Sequence, residues 1–216
     1  MPDFSGAFNE ISELLQKGKA KDIVNSVQKA LDSGASPGDI LEKSLMEGMN
    51  IVGGKFKRNE IFVPEVLIAA RAMNKATEVL KPHLAKAGVS PAGKAVICTV
   101  KGDLHDIGKN LVKMMIEGKG IEAIDLGVDC DAEKIIDTVK QTGAKVVCLS
   151  ALLTTTMTSQ KDVIDALKEA GIRNDVKVMV GGAPVTQGFA DEIGADAYTA
   201  DAASAAEVCR SFFPEK

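Results

Sequence analysis

Up to about residue 90, apolar positions recur at helical spacing. Phe4, Phe8, Ile11 and Leu15 mark one amphipathic helix. Ile23, Val24, Val27 and Leu31 mark a second, which Gly34 should stop. Ser36-Pro37 reads as N-cap and first position of a third helix carrying Ile40, Leu41, Leu45, Met49 and Val52, its end loosened by Gly53-Gly54. Pro64 opens a fourth, through Val66, Leu67, Ala70, Met73 and Leu80, fading around Pro82. Four helices with short connections predict an antiparallel bundle.

From Lys94 onward the pattern changes to short β-rich runs alternating with helical stretches, which predicts βαβ units and a parallel sheet. Strands are expected at 95–100, 121–126, 145–151, 176–180 and 196–200, and helices near 106–118, 131–142, 157–170, 186–193 and 202–212. The fold class is therefore α/β: an N-terminal four-helix bundle cap, residues 1–88, followed by a flavodoxin-like doubly wound parallel five-stranded sheet, residues 89–216. Lys86 to Gly93 has linker composition. Such sheets bind ligands beyond the carboxyl ends of the strands, beside the switch between the first and third. Chemistry is expected just after residues 100 and 150.

Composition narrows the function classes. Apolar residues at 45% and charged residues at 26% of 216 exclude intrinsic disorder. Lys plus Arg is 26 against 30 acidic residues, and a chain of net charge −4 with no Trp and one Tyr is a poor candidate for nucleic-acid binding. No apolar run approaches the ~20 residues that span a bilayer. Met1-Pro2-Asp3-Phe4 lacks a signal-peptide layout, so a soluble cytoplasmic protein is expected. Cysteines 98, 130, 148 and 209 show no Cys-x-x-Cys spacing, which argues against a thiolate zinc site; Cys98 and Cys148 read as buried reduced residues.

The first expected strand runs into Lys101-Gly102-Asp103-Leu104-His105-Asp106-Ile107-Gly108-Lys109-Asn110. Here a loop can set Asp103 against one imidazole nitrogen of His105 while the other points outward, the arrangement that orients a metal-bound histidine. Gly102 and Gly108 allow a tight turn and close approach of a bulky ligand. The plainer alternative is an ordinary βα loop with Asp106 as helix cap and Lys101 and Lys109 as solvated loop lysines. After the third strand stands Ser150-Ala151-Leu152-Leu153-Thr154-Thr155-Thr156, and the fourth ends in Gly181-Gly182. Taken singly, these read as a cap-rich helix start and a turn.

Together the three segments resemble a known fingerprint. Asp103-x-His105-x-x-Gly108, 41 residues, Ser150-x-Leu152, 28 residues and Gly181-Gly182 is similar to the signature of base-off, His-on cobalamin-binding proteins. Glu47-Gly48-Met49-Asn50-Ile51-Val52-Gly53-Gly54-Lys55-Phe56 with Ile61-Phe62-Val63-Pro64-Glu65-Val66 resembles the helical cap of methionine synthase and of corrinoid methyl-shuttle proteins.

The resemblance implies a cobalamin or related corrinoid, in its methylcobalamin form, with His105 as lower axial ligand to cobalt. It implies that Asp103 bonds to that histidine and that Thr156, where methionine synthase has serine, continues the relay. Gly102, Leu104, Asp106, Ile107, Gly108 and Thr154 would lie against the cofactor. Ser150 and Leu152 would line the nucleotide-tail pocket, Gly181 and Gly182 would make room in it, and Phe56, Val63 and Val66 would form the apolar lid. That lid would have to move aside when a partner docks.

The chain has no module for a methyl donor, so the resemblance implies a non-catalytic corrinoid subunit of a multi-component methyltransferase system. Its partners would be a substrate-specific corrinoid methyltransferase, a second methyltransferase delivering the methyl to tetrahydrofolate or coenzyme M, and a reductive activator. No nucleic acid and no membrane is expected among them. A cobalamin-binding sensor is the alternative, and a flavodoxin-like domain without cobalt the third. The methyl donor, whether methanol, a methylamine, a quaternary amine or a methoxyaromatic, stays open.

Overall fold

A computed structural model describes residues 3–214. The chain forms two compact units, divided between Ser90 and Pro91.

The first unit is helical: α1 (Ser5–Gln16), α2 (Ala20–Asp32), α3 (Pro37–Ile40), α4 (Glu47–Lys57) and α5 (Val63–Lys86). A π-helical turn, Leu41–Met46, joins α3 to α4, so the third expected helix is one rod with a widened turn inside it. Buried Ser44 sits in that turn and donates its hydroxyl to the Ile40 carbonyl. Ser36 caps α3 by accepting from the Asp39 amide at 3.5 Å, with Pro37 first in the helix.

Two expected helix ends move outward. The third rod continues through Gly53-Gly54 to Lys57. Buried Val52 and Gly53 hold this stretch, and packing outweighs the roughly 1 kcal/mol that each helical glycine costs. Gly48 lets α4 come close to α1, since a Cβ there would stand 3.2 Å from both Leu15 and Ser12. Helix α5 likewise passes Pro82 and stops only at Lys86. A proline inside a helix forfeits one hydrogen bond. Burial of Leu80 and Leu84 on either side keeps the helix going.

The second unit holds five strands, β1 (Lys94–Thr99), β2 (Glu122–Asp125), β3 (Val146–Ser150), β4 (Lys177–Gly181) and β5 (Ala197–Tyr198). All pair in parallel, in the order β2-β1-β3-β4-β5, so the expected flavodoxin-like sheet is the one formed. Its helices are α6 (Ile107–Glu117), α7 (Ala132–Thr142), α8 (Thr158–Glu169), α9 (Gln187–Ile193) and α10 (Ala202–Ser211).

Strand side chains alternate between faces. Val96, Cys98, Val147, Leu149, Val178 and Val180 join Ile135 and Val139 of α7, Val163, Ile164 and Leu167 of α8, and Ile193 of α9 in one apolar cluster. Ile97, Cys148 and Met179 lie between these positions and face the other side, where α6 packs against α10. Burial on both faces is why these strands read as continuous apolar runs. All four cysteines are free and buried. Among the described residues no helix is long and apolar enough to cross a membrane.

The neighbours β1 and β3 connect to helices on opposite faces, which leaves a crevice between their carboxyl ends. Both chemistry-bearing loops open there.

Candidate functional site

The β1–α6 loop carries Asp103 and His105, and the β3–α8 loop carries Leu152 and Thr156. The Asp103 carboxylate is fully buried and joins the two loops. Its Oδ1 accepts from the His105 amide at 3.0 Å and lies 2.7 Å from His105 Nδ1. Its Oδ2 accepts from the Leu152 amide at 2.7 Å and from Thr156 Oγ1 at 2.6 Å. Burial alone would raise the Asp103 pKa. Hydrogen bonds from Thr156, from the His105 and Leu152 amides and from the His105 ring outweigh it and hold the group well below the usual carboxylate range.

That charge fixes the imidazole. An ionised carboxylate accepts and cannot donate, so Nδ1 must carry the proton in the neutral ring. Nε2 then holds the lone pair. The His105 side chain is 51% exposed, and among the described residues Nε2 has no protein partner. The result is one nitrogen ligand, rigidly backed, offered outward.

Around it the surface is apolar. Leu104 and Ile107 are 71% and 75% exposed, and Leu152 and Leu153 are each 43% exposed. Gly108 faces open space, where an added Cβ would meet nothing within 4 Å, so the chain's own packing does not require a glycine there. Gly182 is the opposite case: its φ is +129°, and a Cβ would fall 1.7 Å from the Ala151 carbonyl oxygen. Ser150 and Gly181 are register partners at the ends of β3 and β4. Gly102, at φ +82°, lies against Thr156 Cγ2, 3.6 Å from where its Cβ would be. The methyl by which Thr156 exceeds a serine thus has a place.

Several expected site residues stand outside this network. Thr154 is exposed in the turn before α8. Asp106 occupies the N-cap position of α6 but makes no side-chain cap bond; its Oδ2 accepts from Asn110 Nδ2 at 3.0 Å instead. In the helical unit, Phe56 and Val63 are half-buried and Val66 is fully buried. Lys101 is exposed, as a loop lysine should be, and pairs with Asp131.

Lys109 is not the solvated lysine expected. It is 2% exposed, and its Nζ lies 2.7 and 2.8 Å from the two Asp125 oxygens and 2.7 Å from Asn110 Oδ1. Burial would raise the Asp125 pKa, but Lys109 and the Gly127 amide bring it down. The ion pair ties the first turn of α6 to the end of β2.

Two residues that sequence reasoning passed over hold the loop's backbone. Thr99 Oγ1 donates to the His105 carbonyl at 2.8 Å, and Asp129 Oδ1 accepts from the Gly102 amide at 2.7 Å. Only the tolerance of Asp for left-handed backbone could have hinted at the second.

Among the described residues no cluster of three or more His, Cys, Asp or Glu could hold a metal ion. A single imidazole suits a metal that arrives with its other positions filled by a macrocycle. The apolar rim and the open space at Gly108 suit the macrocycle. A corrin-bound cobalt meets all three conditions.

Comparison with known proteins gives the same direction. Residues 93–209 match the B12 binding domain family, and residues 7–81 match a second family also described as a B12 binding domain. The chain is 42% identical to dimethylamine corrinoid protein 3 of Methanosarcina acetivorans, over 95% of this chain and 96% of the relative. It is similar to the methanol:cobalamin methyltransferase complex MtaBC from Methanosarcina barkeri, with a TM-score of 0.85 at 32% identity, covering 96% of this chain and 79% of that one. A cobalamin-binding protein from Desulfitobacterium hafniense superposes with a TM-score of 0.79 at 32% identity, over 96% and 98% of the two chains.

Proposed function

The chain belongs to the B12-binding corrinoid protein family, and from that membership we propose that it is a methyl shuttle which binds its corrinoid base-off, with His105 Nε2 as the lower ligand to cobalt. The carrying observation is the His105 ring itself: it is half exposed, one nitrogen is held 2.7 Å from a buried carboxylate, and the other has no partner among the described residues. When bound, the corrinoid supplies a cobalt centre that can accept a methyl group and give it up again.

The residues of this chain act around that centre. Asp103 keeps Nδ1 protonated and the ring oriented, which raises the basicity of Nε2. Thr156 Oγ1, 2.6 Å from Asp103 Oδ2, extends the path along which a proton can reach or leave Nδ1. The strength of the lower ligand thereby depends on the hydrogen bonds that link these three side chains. Leu104 and Ile107 give the macrocycle an apolar seat. Ser150, Leu152 and the side-chain-free Gly181-Gly182 border the nucleotide tail, and Thr154 faces the cofactor from the turn before α8. Of the lid positions that the resemblance implies, Phe56 and Val63 keep exposed surface on the helical unit, whereas Val66 is fully buried within it and belongs to that unit's core.

As a carrier, the chain needs other proteins for both half-reactions. We assign it a substrate-specific corrinoid methyltransferase that loads the cobalt, a second methyltransferase that unloads it to tetrahydrofolate or coenzyme M, and a reductive activator. The names of the relatives support methyltransferase partners and make methylamines and methanol the first donors to try. They do not favour the sensor reading. A solution in the cytoplasm is the natural setting for such a relay.

Reconstitution with hydroxocobalamin tests the proposal. The cobalt(II) state of the wild-type complex should show hyperfine splitting from one imidazole nitrogen in its electron paramagnetic resonance spectrum. His105→Gln should abolish that splitting and slow methylation by about 100-fold, the upper range for losing a ligand's support. An unchanged spectrum in the variant would overturn His105 as the ligand.

A further inference from the structure

The Asp103 carboxylate is held from the β3 side, by Leu152 and Thr156. The loop that carries it is held from the other side by one residue of the β2–α7 loop, Asp129. The Asp129 amide donates to the Asp103 carbonyl at 3.0 Å, and its Oδ1 accepts from the Gly102 amide at 2.7 Å. The side chain and the main chain of one residue thus grip the 101–102 and 103–104 peptide groups, on either side of the 102–103 bond and just before His105.

Holding that grip has a conformational cost. Asp129 has φ +52° and, with Asn59, is one of two non-glycine residues in the left-handed region among the described residues. Such backbone persists where its surroundings over-determine it. Here they do: the next residue, Cys130, donates to the Thr99 carbonyl at 3.1 Å, and Thr99 in turn donates to the Gly127 carbonyl at 3.0 Å. The β2–α7 loop is zipped along the end of β1, and the left-handed turn at 129 is what aims the carboxylate at Gly102.

Asp129 is exposed, so core packing does not explain an acid there. Nor does capping, since α7 begins at Ala132 with Asp131 at its N-cap. A loop that swings about Gly102, itself at φ +82°, would carry Asp103 and His105 with it. We infer that Asp129 is a positioning residue for the lower axial ligand: its carboxylate clamps the Gly102 amide and so sets where His105 Nε2 stands. The inference rests on the reading of His105 as cobalt ligand.

Two substitutions separate the clamp from the backbone. Asp129→Gly adopts φ +52° without strain and keeps the amide bond to Asp103, but removes the acceptor. Asp129→Asn keeps an acceptor oxygen and tolerates the same backbone. In the corrinoid-free protein, Asp129→Gly should speed hydrogen exchange at the Gly102 amide about fivefold, as expected for one ordinary hydrogen bond. Asp129→Asn should stay near wild type. In the hydroxocobalamin complex at fixed pH, Asp129→Gly should shift the ratio of histidine-bound to histidine-free spectrum about fivefold toward free, with rescue by Asp129→Asn.

Wild-type behaviour of Asp129→Gly in both measurements overturns the clamp. So does an Asp129→Asn variant as impaired as Asp129→Gly, because the acceptor would then not be the cause. Failure of the cobalt reading is a separate result: a His105→Gln spectrum identical to wild type removes the ligand, while Gly102 exchange still decides whether Asp129 holds the loop.

Discussion

Asp103 and Asp196 occupy opposite ends of the same sheet and look alike at first. Each collects several donors, and each has a pKa that burial would raise and hydrogen bonds bring down. Asp196 precedes β5 and accepts from the Val178 amide at 2.8 Å, from Arg173 Nη2 at 2.7 Å and from Lys177 Nζ at 3.0 Å. Its network ends in two permanent cations and is closed. The Asp103 network ends in an imidazole with one nitrogen still to spend. A depressed carboxylate is therefore common to a structural brace and a reactive site; the open ligand atom is what separates them.

Removing each carboxylate should separate them further. Asp103→Ala leaves four donors unserved in and around a buried pocket. It should cost about 3 kcal/mol of stability, read by urea unfolding, and weaken histidine ligation in the hydroxocobalamin complex by 10- to 100-fold on the order typical of such support groups. Asp196→Ala should cost about 2 kcal/mol, since partly exposed Lys177 can turn to water, and leave the corrinoid spectrum unaltered. A spectrum equally disturbed in both variants would erase the distinction.

Acid should treat the two alike. A carboxylate with a lowered folded-state pKa contributes stability that is fully present above its unfolded value and fades as pH falls through the folded one. The stability gap between wild type and Asp103→Asn should hold constant from about pH 5 to 8 and close below about pH 4. The Asp196→Asn gap should likewise close on the acid side of the ordinary carboxylate value. A gap that instead closes above pH 5 would mean that the Asp103 charge is not what holds the loops.

The smallest effect concerns the end of the relay. Thr156→Val loses the donor to Asp103 and should cost about 1.5 kcal/mol, while Thr156→Ser keeps it and should stay within about 0.5 kcal/mol. Parallel thermal melts would decide it. Equal losses in both would assign Thr156 to packing against Gly102 alone.

Much of this was legible in the chain. Strand positions were expected within a residue or two because sheet strands buried on both faces leave an unbroken apolar signature, and the strand order follows from βαβ connectivity. The Asp103–His105 pair was legible in the spacing of one loop, whereas Thr156 behind it was reached only through the resemblance to methionine synthase, because taken singly its segment reads as a helix start. Helix ends at Gly53-Gly54 and Pro82 were not, because local breakers yield to burial that only the packed bundle reveals. Lys109 was misjudged because its partner lies 16 residues on, at the end of β2. Asp129 left little pattern, because its carboxylate reaches Gly102 only through a left-handed backbone angle that the sequence does not announce.

Gly182 carries one last implication. The atom it would strike is the main-chain oxygen of Ala151, not a neighbouring side chain. Any larger residue at this position would have to displace the main chain just beyond β3, on top of the strain of its left-handed backbone.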